Sequence, residues 1–317
     1  MVIVVSSLVF VGCGNSISDD LDNSELAEFS NQQQFEFTRF MDSLDSLNHE
    51  FVSSDLCETR AWGRDLTQSV ADAVGGALGQ KFGSSIGAAA GSAGGPAGAV
   101  VGYLVGRKYG GAVGTVAAST IAGAVYDWVT TKSDLPYIAQ YKHYTQSIND
   151  EASIGEVHNV ILSQIQSNGK AYVSLDGAVK IDEIYADVVS IVNKMGIEDY
   201  LCENEEYKAY MKDFFKEIVD ISLQDKHRIT GDVSYKSQVT DFLCENKGFS
   251  EIEAQNIMSI ISSTQISAYL RESQAIEYEK EFVRLVDNSR LSDQNKRMMI
   301  VTGSISIMST NYWYADK

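Results

Sequence analysis

A short serine motif, Gly83-Ser84-Ser85-Ile86-Gly87, matches the G-x-S-x-G pattern that holds the nucleophilic serine of many hydrolases. In those enzymes the serine follows a β-strand, whereas here glycines recur at every fourth residue straight through the motif, which is a helical period. Two glycines four residues apart almost produce the pattern by themselves. We therefore expect no nucleophilic serine at this position.

The stretch Gly155-Glu156-Val157-His158-Asn159 is a second candidate for chemistry, because imidazole changes charge near neutral pH and could transfer protons. His158 also lies in an amphipathic apolar pattern, and we favour a half-buried histidine that bonds a neighbouring loop and caps the bundle. The four histidines are scattered, and no zinc-binding or phosphate-binding motif occurs. We therefore expect no catalytic residue, metal or cofactor, and a protein that is not an enzyme.

Cys13 ends an apolar run that begins at Met1, and Val11-Gly12-Cys13 is typical of the end of a bacterial lipobox, whose cysteine is lipidated. The run is too short for a permanent membrane span. No Lys or Arg precedes it, and Phe10 stands where leucine is usual; the alternative is a buried N-terminal strand with a core cysteine. We predict a lipidated Cys13, with membrane lipid as a partner, in the bacterial envelope at the outer membrane or cell surface.

Two further cysteines lie in nearly identical hexamers. Asp199-Tyr-Leu-Cys-Glu-Asn204 and Asp241-Phe-Leu-Cys-Glu-Asn246 differ at one position. In an oxidising envelope compartment, matched contexts make Cys202 and Cys244 a possible disulfide pair.

The elements around these candidates are dominated by a glycine zipper. Glycines recur every four residues in two series separated by Gly94-Gly95-Pro96, and we assign helix packing to Gly75, Gly79, Gly83, Gly87, Gly91, Gly98, Gly102, Gly106, Gly110 and Gly114. Glycine costs ~1 kcal/mol relative to alanine inside a helix, so the repeat needs a compensating gain. That gain is close approach of another backbone to the glycine face. The pattern predicts a helical hairpin with arms near 66–93 and 97–129.

Small-residue stripes of this length favour packing in or on a membrane, or self-association through the glycine faces. Arg107-Lys108 lies midway along the second arm, which favours shallow or oligomeric insertion over two simple spans. The alternative is a water-soluble hairpin that packs tightly on itself.

Composition separates the rest of the chain into distinct regions. The 317 residues carry a formal net charge of −18, which argues against nucleic acid as a partner. We assign 1–13 as a lipoprotein-type signal segment, 14–60 as an acidic tether followed by a short amphipathic helix from Phe35, 61–130 as the glycine-zipper hairpin and 131–317 as an acidic all-helical domain. Apolar periodicity predicts helices near 151–167, 181–195, 205–223, 234–245, 250–271, 273–288 and 292–312.

Local signals add detail to this helical domain. Ser250 and Glu253 match a capping box. Residues 170–175 are the only strand candidate, or a linker, and the aromatic cluster at 312–314 either closes the helical core or anchors at a membrane interface. The fold class is therefore mainly α, with a glycine-zipper hairpin plus a C-terminal helical bundle.

With its lipobox, glycine zipper, Gly155–Asn159 stretch and aromatic end around Trp313, the chain resembles uncharacterised glycine-zipper lipoproteins of Bacteroidota. Residues 66–128 also resemble the hairpins of class II bacteriocins, which implies membrane permeabilisation. We therefore expect a non-enzymatic, membrane-associated lipoprotein, and the alternative is a pore-forming antibacterial toxin.

Overall fold

The computed structural model describes residues 23–52, 71–77, 154–174, 178–194 and 249–314, with single positions at 79 and 120 and scattered ones between 205 and 245. About 87% of the described residues are helical, which confirms the prediction of a mainly α-helical protein. Several predictions concern residues outside this part of the chain. They are the lipidation of Cys13, the role of Cys202, the packing of the glycines from Gly83 to Gly114 and the pairing of the two zipper arms.

Six α-helices and one 3-10 helix have defined bounds in the described residues. They are α1 (Asn23–Phe51), α2 (Ile154–Ser167), α3 (Ile181–Lys194), α4 (Glu251–Thr264), the 3-10 helix (Gln265–Tyr269), α5 (Glu272–Asn288) and α6 (Asp293–Tyr314). A further helical stretch, called the 71–77 segment below, includes the first zipper glycine, Gly75. The predicted helices at 151–167, 181–195, 273–288 and 292–312 agree with α2, α3, α5 and α6 to within three residues at each end.

Helix α6 occupies the centre of the described part. From Val301 to Trp313 every residue is buried, because α2, α4, α5 and the 3-10 helix all contact it. A helix surrounded in this way has no face left for water, so most of its polar side chains are small and several are hydrogen-bonded to neighbouring helices, although the Thr302 hydroxyl is buried without a hydrogen-bond partner. Ser306 accepts a hydrogen bond from Thr264 at 2.7 Å, and Asn311 donates to two carbonyls at the 3-10 helix.

Two glycines allow the neighbours of α6 to come close. A Cβ at Gly155 of α2 would lie 2.5 Å from the backbone oxygen of Ser304, and a Cβ at Gly303 would lie 2.1 Å from the ring of Phe282 on α5. Neither distance leaves room for a methyl group. The packing of α2 and α5 on α6 therefore depends on these glycines, which do not belong to the zipper.

Helix α1 packs on α5 through aromatic side chains. Phe40 meets Phe282 edge to face with ring centroids 6.1 Å apart, and Phe51 meets Tyr278 in the same way at 5.2 Å. The Tyr278 hydroxyl donates to Asn48 at 2.6 Å. Burial raises the pKa of that hydroxyl, which therefore remains a proton donor at any ordinary pH.

The start of α1 differs from the prediction. We expected a tether up to about residue 34 and a helix from Phe35, but the helix begins at Asn23. No proline or glycine interrupts residues 23–34. In addition, the Gln33 side chain accepts hydrogen bonds from the Ser292 backbone at 2.9 Å and from Asn295 at 3.3 Å, which ties this stretch to the start of α6.

The capping box is confirmed, since Ser250 and Glu253 each bond the other's backbone at the start of α4. The helix predicted through 271 stops at Thr264, whose hydroxyl bonds the carbonyls of Ile260 and Ile261, and the 3-10 helix follows. The strand candidate at 170–175 contributes one antiparallel bridge, between Val173 and Val179. Within the described part, no helix is both long and apolar enough to cross a membrane.

Replacing Gly155 with alanine tests the close approach of α2 and α6. We expect Gly155→Ala to lower the free energy of unfolding by about 1–3 kcal/mol, because the new methyl group meets a backbone oxygen that cannot move without shifting α6. Urea denaturation measures this change. The control is Gln164→Ala on the exposed side of the same helix, which should change stability by less than about 0.5 kcal/mol. An unchanged or raised stability in Gly155→Ala would show that the two helices are not this close.

Candidate functional site

Five buried polar side chains from three helical pieces converge beside α6, and we call them the Asp72 cluster. Asp72 comes from the 71–77 segment, His158 and Asn159 from α2, and Ser309 and Trp313 from α6. Both Asp72 and His158 are 0% exposed. Ionisable side chains are rarely fully buried without a partner, so this pair is the most unusual chemistry in the described part of the chain.

Asp72 is held by α6. The Ser309 hydroxyl donates a short hydrogen bond to Asp72 Oδ2, and the Trp313 indole nitrogen donates to the same oxygen at 3.3 Å. The Nε2 atom of His158 lies 3.6 Å from it. Oδ2 therefore has three polar neighbours, whereas Oδ1 is buried without a hydrogen-bond partner.

His158 is oriented by its neighbour in sequence. Its Nδ1 atom lies 3.0 Å from Asn159 Oδ1, and Asn159 Nδ2 donates to the backbone oxygen of Met308 at 3.0 Å. The Asn159 amide thus connects the imidazole ring to the backbone of α6. The close contact at Gly155, one helical turn earlier, brings α2 near enough to α6 for this bond.

The cluster can hold a helix in place, but its geometry does not offer a reaction site. Asp72, His158 and Asn159 are 0–1% exposed, so the described residues leave no access to the imidazole. Breaking a buried pair by removing one member is strongly destabilising, because the other member is left without compensation. The arrangement therefore fixes the 71–77 segment against α2 and α6.

The sequence indicated only part of this site. We expected a half-buried His158 that bonds a loop; this was wrong, since the ring is fully buried and faces a carboxylate on another helix. Asp72 was not singled out, although it is the only charged residue in Ala-Asp-Ala-Val-Gly-Gly-Ala. Of the two readings of the aromatic end, the structure supports closure of the core, with Tyr312 and Trp313 both buried.

Two of the assigned zipper glycines are among the described residues. Gly75 and Gly79 are helical and buried, which agrees with their predicted place in a packed helix. The other assigned glycines lie outside the described residues. Among the described residues, no group of three or more His, Cys, Asp or Glu side chains could hold a metal ion.

Cys244 is a free cysteine among the described residues, and its predicted partner Cys202 lies outside them, so the possible disulfide stays a prediction. Burial raises the pKa of the Cys244 thiol. Nearby carboxylates raise it further, in the order Glu251, Asp241, Glu245 and Glu253. Because the thiolate is the form that reacts, these surroundings slow disulfide exchange at this position.

Comparison of the chain with protein-family models, with characterised proteins and with solved structures gave no match. The resemblance to glycine-zipper lipoproteins and to bacteriocin hairpins therefore stays a prediction from the residues themselves.

A double-mutant cycle measures how strongly Asp72 and His158 depend on each other. We expect Asp72→Ala and His158→Ala each to lower the free energy of unfolding by about 3–5 kcal/mol, because each leaves a buried partner unpaired. The double variant should lose less than the sum, by a coupling energy of about 0.5–3 kcal/mol in urea denaturation. Strictly additive losses would mean that the two side chains do not interact.

The chain supplies a matched control for this cycle. Asp45 and His49 on α1 lie 3.7 Å apart, nearly the separation of the buried pair, but both side chains are mostly exposed. We expect Asp45→Ala to change stability by less than about 0.5 kcal/mol, since solvent screens such pairs.

Alkylation of Cys244 by iodoacetamide, followed by peptide mass spectrometry, tests its surroundings. Because the pKa of the thiol is raised, we expect slow labelling at neutral pH that accelerates only as the pH becomes alkaline. Glu251→Gln should increase the rate at a fixed pH about twofold, since it removes the strongest neighbouring charge. The control, Glu272→Gln, neutralises an exposed glutamate that does not act on this thiol. Equal rates in all three proteins would contradict the assignment.

Proposed function

We propose that the protein is a non-enzymatic, lipid-anchored protein of the bacterial envelope whose acidic helical domain holds the start of its glycine zipper. In this proposal Cys13 carries the lipid. The zipper beyond the 71–77 segment packs in or on the membrane, or against other copies of the chain. The observation that supports it best is the burial of the 71–77 segment against α2 and α6 through Asp72.

The position of Asp72 limits how much of the zipper can meet lipid. An ionisable side chain in the hydrocarbon core is costly unless it finds a partner there. Asp72 has its partners, Ser309, Trp313 and His158, inside the helical domain. Membrane contact through the zipper would therefore start beyond the 71–77 segment, in the stretch from Leu78 to Tyr126, which contains no acidic residue.

The burial of His158 argues against an enzyme at this site. A general acid or base must come within hydrogen-bonding reach of a substrate, either directly or through one water molecule. His158 is 0% exposed. Its Nδ1 atom contacts the Asn159 side chain, and its Nε2 atom faces Asp72. The cluster is better suited to joining helices than to turning over a substrate.

The alternative is a pore-forming antibacterial toxin that uses the same hairpin on another cell. One feature favours this alternative. A toxin that travels through water to a membrane must first cover part of its small-residue hairpin. The first turn of the zipper is covered by α2 and α6. The two functions differ in what holds the chain at its own membrane.

Cell fractionation separates the two functions. We expect the full chain to pellet with membranes after a carbonate wash and a Cys13→Ala variant to move to the soluble fraction, because the lipid is the anchor. Immunoblotting of each fraction measures the distribution. The control is Cys57→Ala, which changes a cysteine outside the lipobox and should leave the protein in the membrane fraction.

A Cys13→Ala protein that remains in the washed membrane would show that lipid on Cys13 is not what holds the chain there. In that case the hairpin itself inserts, and the pore-forming alternative becomes the better one.

A further inference from the structure

The two hydrogen bonds of Asn159 determine which nitrogen of His158 carries a proton. Asn159 Nδ2 donates to the Met308 carbonyl at 3.0 Å, so the amide oxygen, an acceptor, is the atom that faces the ring. His158 Nδ1 lies 3.0 Å from that oxygen and must donate to it. The proton on Nδ1 is therefore fixed by the backbone of α6.

This leaves the other ring nitrogen facing Asp72. In a neutral ring with its proton on Nδ1, Nε2 presents a lone pair, and Nε2 lies 3.6 Å from Asp72 Oδ2. A lone pair next to a buried carboxylate is repulsive. The contact is favourable when one more proton is present, on Nε2 as an imidazolium or on Asp72 as a carboxylic acid.

The three elements that form the Asp72 cluster carry few other ionisable groups. In the 71–77 segment Asp72 is the only ionisable side chain, and between Val301 and Trp313 on α6 the only one is Tyr312, whose hydroxyl bonds Gln166. On α2 the only other ionisable residue is Glu156, which is half-buried two positions from His158 and so points to a different face of the helix. Among the residues of these three elements, Asp72 and His158 are therefore the ionisable pair that sets the charge at this point.

We propose that Asp72 and His158 share one proton, and that this proton is a latch that keeps the 71–77 segment docked on the helical domain. With the shared proton the pair is neutral, either as imidazolium and carboxylate or as imidazole and carboxylic acid. One proton more gives a net charge of +1, and one proton fewer gives −1. Both leave an uncompensated charge in a site with no exposure to water.

The 71–77 segment is the element that responds. Its described polar contacts with α2 and α6 all meet at Asp72 Oδ2, whereas α2 keeps the Asn159–Met308 bond and its apolar contacts. Docking should therefore be strongest at intermediate pH and weaken on both sides. The latch rests on the proposed function in one respect, since it would control when the start of the zipper is available to a membrane or to another copy.

Nitrogen NMR of the full chain with ¹⁵N-labelled histidine tests the proton assignment in the unmodified protein. We expect His158 to show a protonated Nδ1 at intermediate pH. Its assignment comes from the resonance lost in His158→Gln. A ring protonated only on Nε2 would overturn the proposal, because Nδ1 would then accept rather than donate and no shared proton would be needed.

Hydrogen exchange of the full chain tests the latch itself. After correction for the intrinsic pH dependence of exchange, the protection of amides 72–76 should pass through a maximum and fall at least about tenfold on both the acid and alkaline sides, across pH ~4 to ~10. Amides 257–261 of α4, away from the pair, should keep their protection over the same range. A flat profile at 72–76, or a parallel loss in α4, would overturn the latch.

Two variants complete the test. Asp72→Asn, which keeps the shape of the side chain, should remove the maximum from the protection profile of 72–76, whereas Asp45→Asn at the exposed Asp45–His49 pair should leave it unchanged. A maximum that persists in Asp72→Asn would assign the pH response to another group. Membrane association plays no part in these measurements, so a failed latch and a failed lipid anchor give separate results.

Discussion

A carboxylate buried in a helical core is the constraint on which the described structure depends. Asp72 has no exposure to water, so its side chain must find its polar partners on other helices, and these come from α2 and α6. Its neighbours in the segment are alanine, valine and glycine, whose apolar contacts do not depend on one particular orientation of the helix. The carboxylate therefore specifies where the beginning of the zipper lies, and hydrophobic burial alone would leave that position poorly defined.

This polar cluster depends in turn on small residues elsewhere. The Asn159 amide reaches the Met308 carbonyl because Gly155 lets α2 approach the backbone of α6. Elsewhere on α6, Gly303 receives the ring of Phe282, and α1 packs against that ring. Close packing and polar specificity are thus linked through one central helix: the glycines set the distances, and the hydrogen bonds select one arrangement at those distances.

The features that were predicted from the sequence are those that depend on residues close together in the chain. The mainly α class, the bounds of α2, α3, α5 and α6 and the capping box at Ser250 all follow from periodicity or from residues three apart. What depends on partners distant in sequence was not predictable in this way. The early start of α1 relies on Gln33 bonding Ser292, and the role of Asp72 relies on residues more than 80 positions away. His158 was noted as a candidate, but a half-buried position was expected for it, because one sequence does not reveal which helices surround a ring.

The early start of α1 has a consequence for the geometry of an anchored protein. With lipid on Cys13, nine residues separate the anchor from Asn23, and the ten residue-to-residue steps span at most roughly 35 Å even when fully extended. Beyond it α1 is a rod of 29 residues, about 44 Å long, whose early part is tied to α6 through Gln33. A lipid anchor at Cys13 would then hold the start of α1 within roughly 35 Å of the bilayer, which favours encounters with partners on the same membrane surface.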